Sequence, residues 1–218
     1  MKRYNVIIGF GISIAVSASA LALSAQTITF DDLNPATLPG GDGVSAAPIP
    51  NGYGGIQWAN FWVLNAALQY SQFGNNGYHI GLVSTNNVAF NDRGTSAAFS
   101  VTSGAFNFDS AYLTPAWNNG LHVEVQGFVG TTLTYDNTYT LNTTSATLIN
   151  FDYLGVDKVN FIASGGVSAG YDGAGTQFAM DNLTIIPVPE PTMMALVGFG
   201  GLATLGMVRR RKRSLSNL

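Results

Sequence analysis

Leu121-His122-Val123-Glu124-Val125-Gln126 is the stretch on which the fold turns, because its apolar and polar residues alternate strictly. A period of two puts Leu121, Val123 and Val125 on one face of an extended strand, and His122, Glu124 and Gln126 on the other. The first three are expected in a core and the second three on a wet sheet face. Working outward, similar runs are Thr27 to Phe30, Ile56 to Leu64, Ala105 to Leu113, Thr131 to Leu141, Ala146 to Phe151, Lys158 to Ile162 and Phe178 to Ile186. Gly, Asn, Ser and Thr separate these runs, charged residues make up only 10% of the chain, and no useful helical period lies between the two termini. The pattern predicts an all-β domain of antiparallel strands packed as a β-sandwich.

The ends of the chain are of another kind. Met1-Lys2-Arg3, the apolar stretch Val6 to Val16 and the small-residue segment Ser17 to Ala25 form the three-part layout of a secretory signal peptide. Cleavage is expected after Ala25, with Ala22 the alternative and an uncleaved N-terminal anchor the competing reading. The domain is then 26–186, about the size of one ordinary domain. It has no cysteine, so no disulfide holds it. Between Gln26 and Pro191 only Arg93 and Lys158 are basic, against all 12 acidic residues, a net charge of −10. That surface repels phosphate backbones, which argues against nucleic acid and suits divalent cations or neutral, hydroxyl-rich partners.

Pro187-Val188-Pro189-Glu190-Pro191 reads as an extended linker, 187–191, since three prolines in five residues forbid a helix interior. Segment 192–208 follows with 17 uncharged residues. As a helix it reaches roughly 25 Å, a little short of a hydrocarbon core of about 30 Å, a mismatch that snorkelling side chains absorb. The basic tail 209–218 opens with Arg209-Arg210-Arg211-Lys212-Arg213, which the positive-inside rule keeps in the cytoplasm.

Pro189-Glu190-Pro191, the short apolar helix and the block from Arg209, Arg210 and Arg211 to Arg213 resemble, in order and spacing, the tail of PEP-CTERM proteins. The resemblance implies an exosortase as partner, a membrane peptidase that recognises the motif and cuts in the tail. It further implies passage through the inner membrane, transient anchoring there by the C-terminal helix, and a final place at the cell surface or outside the cell, in bacteria that make exopolysaccharide and biofilm. A permanent single-span anchor is the competing reading. Phe30-Asp31-Asp32-Leu33, Asn51 to Trp58, Phe61 to Asn65, Asn87 to Asn91 and Met180 to Ile185 also resemble phrases of PEP-CTERM ectodomains. The first and last resemble terminal strands of carbohydrate-binding jelly rolls, which makes the expected sandwich one of jelly-roll type.

Chemistry is sparse in the domain, which has one glutamate before the linker, two histidines, His79 and His122, and no G-x-S-x-G elbow. No catalytic residue is assigned, and a non-enzymatic protein is expected. His122 and Glu124 share a strand face, more often a wet face than an acid–base pair. First and last strands of a jelly roll commonly pair, which would bring Asp31 and Asp32 near Asp181 and Asn182. Oxygen ligands of that kind suit Ca2+, and the competing reading is that the carboxylates bond backbone amides in turns. The segment Ser164 to Thr176 lacks a calcium-repeat pattern and reads as a loop. Tyr53, Tyr78 and Trp117 lie in Asn- and Gly-rich surroundings where rings can stack on sugars. Trp117, in Pro115-Ala116-Trp117-Asn118-Asn119-Gly120, is expected to be the most exposed. The function expected is a surface or extracellular-matrix protein associated with exopolysaccharide, with a carbohydrate-binding module as the alternative and a glycan-active hydrolase or lyase behind it.

Overall fold

The computed structural model describes residues 24–189, which form one compact unit with its own core. The signal segment up to Leu23 and the tail from Glu190, with Glu190, Pro191, Arg209, Arg210 and Arg211, lie outside the described residues. The strands are β1 (Gln26–Ile28), β2 (Ala46–Pro48), β3 (Gln57–Ala59), β4 (Phe61–Asn65), β5 (Asn87–Asn91), β6 (Ala97–Ser100), β7 (Ala105–Pro115), β8 (Asn118–Val129), β9 (Thr132–Leu141), β10 (Thr147–Val156), β11 (Lys158–Ser168) and β12 (Phe178–Val188). They form two antiparallel sheets, one ordered β10-β7-β12-β5-β4-β2 with β1 also on β12, the other β3-β6-β11-β8-β9. The fold is the β-sandwich that the alternation predicts.

Leu121, Val123 and Val125 are fully buried, as the opening stretch requires. They meet Phe106, Phe108, Phe151, Phe161 and Phe178 in a core whose rings pack mostly edge-on or tilted. Irregularities retune the pattern along β12. Phe178 and Met180 face the core at one end, Leu183 and Ile185 at the other, and the change of parity falls at Asp181-Asn182. There the register with β7 shifts and Asn182 takes a positive φ of 49°. An inserted residue moves the inward set from even to odd positions without ending the strand.

Two helices, α1 (Ala66–Phe73) and α2 (Gly77–Ile80), depart from the expectation of strands alone. Asn65 caps α1 by accepting from the Leu68 amide, and Asn76 caps α2 by accepting from the amides of Tyr78 and His79. They cover the outer face of the first sheet, where Leu64, Val88, Phe90, Tyr78, Ala116 and Ala179 make a second cluster. Every residue of β5 is consequently buried. Gly77 permits the close approach, since a Cβ there would stand 1.7 Å from the Pro115 carbonyl oxygen.

Two further boundaries change. Pro187 and Val188 belong to β12, paired with Phe106 and Ala105, because an edge of the strand that makes no ladder bond tolerates proline. The linker is therefore shorter than 187–191. Gly165, Val167 and Ser168, expected in a loop, continue β11 opposite Leu121, Asn119 and Asn118.

Candidate functional site

The terminal strands do pair, with Thr27 opposite Thr184 and Ile28 opposite Leu183. This brings Asp31 and Asp181 to one end of the first sheet, where both act on the segment that follows α2. Asp181 Oδ2 accepts from the amides of Val83 and Ser84, each at 2.8 Å, and Oδ1 accepts from the Asn182 amide at 2.7 Å. Asp31 Oδ1 accepts from the amides of Asn86 at 2.8 Å and Asn87 at 3.0 Å, and Oδ2 from Thr85 at 3.2 Å. Five consecutive amides, Val83 to Asn87, are thus held by two carboxylates.

That arrangement is the one the competing reading of Asp31, Asp32, Asp181 and Asn182 calls for, with the carboxylates of Asp31 and Asp181 bonded to backbone amides. N–H groups occupy the lone pairs a cation would need, and Asp32 turns away toward Tyr53. Asn182 enters through its backbone, donating its amide to Asp181. Among the described residues no group of three or more acidic or histidine side chains could hold a metal. The residues as placed do not fit Ca2+; the competing amide-bonding role is the one observed. Burial pushes the Asp181 carboxyl above its usual value, against the amides of Ser84 and Val83. For the less buried Asp31, desolvation also raises it, but the amides of Asn86, Asn87 and Thr85 together outweigh this and hold it below.

Asp32 and Tyr53 make the candidate site. The Tyr53 hydroxyl donates to Asp32 Oδ1 at 2.5 Å. Beside them opens a cleft of about 370 Å³, lined by Gln26, Thr27, Thr29 and Gly54 as well. Tyr53 stands at the start of a 3₁₀ turn, its ring 6.1 Å from that of the buried Phe30, and its carbonyl accepts from Trp58 Nε1. The ring is thereby fixed while part of it stays in solvent. Burial, then the hydrogen bond and charge of Asp32, raise the phenol far above its ordinary value, so Tyr53 is a neutral donor at all physiological pH. The Asp32 carboxylate has acceptor positions left for a ligand hydroxyl. The chemistry is that of a shallow polar site for hydroxyl groups with one aromatic edge.

Tyr78 and Trp117 do not form the expected exposed platform. Tyr78, in α2, is buried and meets the Trp117 ring edge-on at 5.4 Å and 87°. Trp117 is half-buried, and Gly173 of the 169–177 loop lies on its ring, where a Cβ would come within 2.5 Å. Turn residues around a ring suggested presentation, whereas the loop from β11 to β12 folds back over it, a long-range contact that local composition does not encode. On the outer face of the second sheet, Glu124 accepts from Gln126 at 2.6 Å, and His122 bonds Thr140. His122 and Glu124 are each held by another partner, as a wet sheet face requires.

Residues 187–212 match the PEP-CTERM protein-sorting motif. That motif is the recognition signal of an exosortase, and it implies export and transient anchoring at the membrane. Among the described residues no helix is long and apolar enough to cross a membrane. No curated protein matches the sequence. A DUF4465 family protein from Bacteroides ovatus is similar in structure at 11% identity, over 74% of this chain and 93% of that one, with a TM-score of 0.42. TmCBM61, solved in complex with β-1,4-galactotriose, is similar at 9% identity over 64% and 95%, TM-score 0.33. A CBM4 structure is similar at 16% identity over 61% and 87%, TM-score 0.29.

Proposed function

We propose that the mature protein is a non-enzymatic surface or matrix component that associates with neutral exopolysaccharide, and that contact with the glycan is made in the Asp32–Tyr53 cleft. The observation that carries this reading is the union of Asp32 and Tyr53, from separate segments, at the wall of a polar cleft. The free acceptor positions of Asp32, two threonines and a glutamine amide converge there beside the fixed Tyr53 ring, the mixture that orients hydroxyl groups. The domain's net charge of −9 favours neutral over polyanionic chains at low salt. A non-catalytic role is supported by the carboxylates of Asp31 and Asp181, committed to amides, and by Glu124, bonded to a glutamine.

The test is a glycan array with the purified 24–189 domain, whose core closes within those residues, followed by calorimetry on the best glycan. Loss of a stacking or bonding hot spot costs at least about 2 kcal/mol, roughly thirtyfold in affinity. Asp32→Asn and Tyr53→Ala should each weaken binding by about that factor, while Trp117→Phe leaves it unchanged. Normal binding by both cleft variants, with unchanged melts, would place the glycan elsewhere.

A further inference from the structure

A sheet edge is a row of unpaired N–H and C=O groups, and folded domains blunt such rows by shortness, proline, bulges or charge. Most edges of this sandwich are treated so. β1, β2 and β3 have three residues each, and β2 ends on Pro48. β10 has ten residues but its register shifts twice, around Tyr153. β9 differs, being last in its sheet, ten residues long, with one register shift near its start. From Tyr135 to Leu141 it runs in unbroken register opposite Gly127 to Leu121. That run contains no lysine, proline or glycine, and its one charge is Asp136. Asp136, Asn137, Thr138 and Thr140 are exposed along it.

We propose that the run Tyr135 to Leu141 is an assembly edge that pairs antiparallel with the same run of a second copy of this chain, about a two-fold axis at Thr138. The axis follows from the geometry of the run. Partners across a sheet must share a face, so only axes through residues are allowed, one-residue slips being excluded. An axis at Thr138 engages all seven residues of each run. An axis at Asn137 or Tyr139 engages five, and one at Asp136 engages three and sets that carboxylate against itself. About Thr138, Tyr135 faces Leu141 of the second copy, Asp136 faces Thr140, Asn137 faces Tyr139, and Thr138 faces Thr138. Aromatic–aliphatic, carboxylate–hydroxyl and Thr–Thr neighbours are favourable cross-strand pairs.

Delivery favours a second copy as the occupant, and the sparse charge of the run permits it. Two domains of net charge −9 can meet closely only where charge is sparse. In this register the two Asp136 carboxylates stand four residues apart along the ladder, about 14 Å, beyond the screening length of roughly 8 Å at physiological salt. The sorting motif sends every copy to the same membrane, so another copy is the neighbour most often met. The ten strands of two second sheets would then form one continuous sheet, an isologous contact.

The chain has no cysteine, so a single introduced thiol reports the axis directly. Opposed residues in antiparallel strands have Cα atoms about 4.5 to 5.5 Å apart, within disulfide reach. The purified 24–189 domain should sediment as a concentration-dependent dimer. Thr138→Cys should oxidise to a covalent dimer, whereas Thr131→Cys, in the exposed hairpin turn, should stay monomeric under the same conditions. Thr138→Lys sets like charges across the axis and should raise the dimer dissociation constant at least tenfold, with an unchanged melt showing β8 and β9 intact. Its glycan binding should be unaltered, which separates this assembly from the cleft. A parent domain monomeric at every concentration, no excess cross-linking at position 138 over 131, or a Thr138→Lys variant that sediments like the parent would each overturn the proposal.

Discussion

Asp181 shows how one side chain can hold several backbone amides. It lies at the bulge of β12, where the strand exchanges β5 for β1 as its neighbour, and it is fully buried. The carboxylate accepts from the amides of Val83, Ser84 and Asn182, and from the Ser84 hydroxyl at 3.0 Å. Removing it strands several buried donors, each a loss of about 1 to 3 kcal/mol. Asp181→Ala should therefore destabilise the domain by about 3 kcal/mol, roughly 6 to 12 °C in a thermal melt at this size. Asp181→Asn keeps one acceptor and should lose less. Because the amides already occupy the oxygens, melts in calcium and in chelator should coincide. A calcium-dependent rise in melting temperature that Asp181→Ala abolishes would restore the metal site.

At the scale of elements, what the sequence discloses depends on whether the signal is local. Alternation identified β7, β8, β9 and β12 because long half-buried strands repeat their inward residue every second position. β5 and β2 gave no such pattern, β5 being buried on both faces and β2, with three residues, too short for a period. The helices were hidden differently. α1 has only eight residues and α2 four, so neither shows a stripe, although Asn65, Asn76 and Gly74 mark their ends. Of the candidate residues, Asp32 and Tyr53 do meet, while Trp117 is covered by a loop that local sequence could not place. The docking of α2 rests on Gly77 against the Pro115 carbonyl. Gly77→Ala should force α2 off β7, uncover Tyr78 and Trp117, and lower stability by about 1 to 3 kcal/mol. The checks are a melt and the tryptophan emission, which should shift to the red; an unshifted spectrum and melt would mean that α2 is not seated there.

For the whole molecule, the chain divides its work between a folded acidic domain and a C-terminal end that carries a sorting motif. Seven of its nine basic residues lie in the terminal segments, and five of them are Arg209 to Arg213. The matched motif spans 187–212, so it takes in the last residues of β12, the Pro-Glu-Pro signature and most of the basic block. Because Pro187 and Val188 still pair with β7, only Pro189 separates the last strand from Glu190. The expected role of the basic block is to keep the motif in reach of the peptidase at the membrane. The positive-inside bias is the expected source of that effect, each Lys or Arg beside an anionic leaflet contributing about 1 kcal/mol. Replacing Arg209 to Arg213 with glutamine should slow processing and leave unprocessed protein in the cell fraction, while the melt of the 24–189 domain stays the same. Fractionation and the mass of the mature protein measure this. Wild-type processing and surface delivery of that variant would show that the Pro-Glu-Pro signature and the apolar segment suffice without the charges.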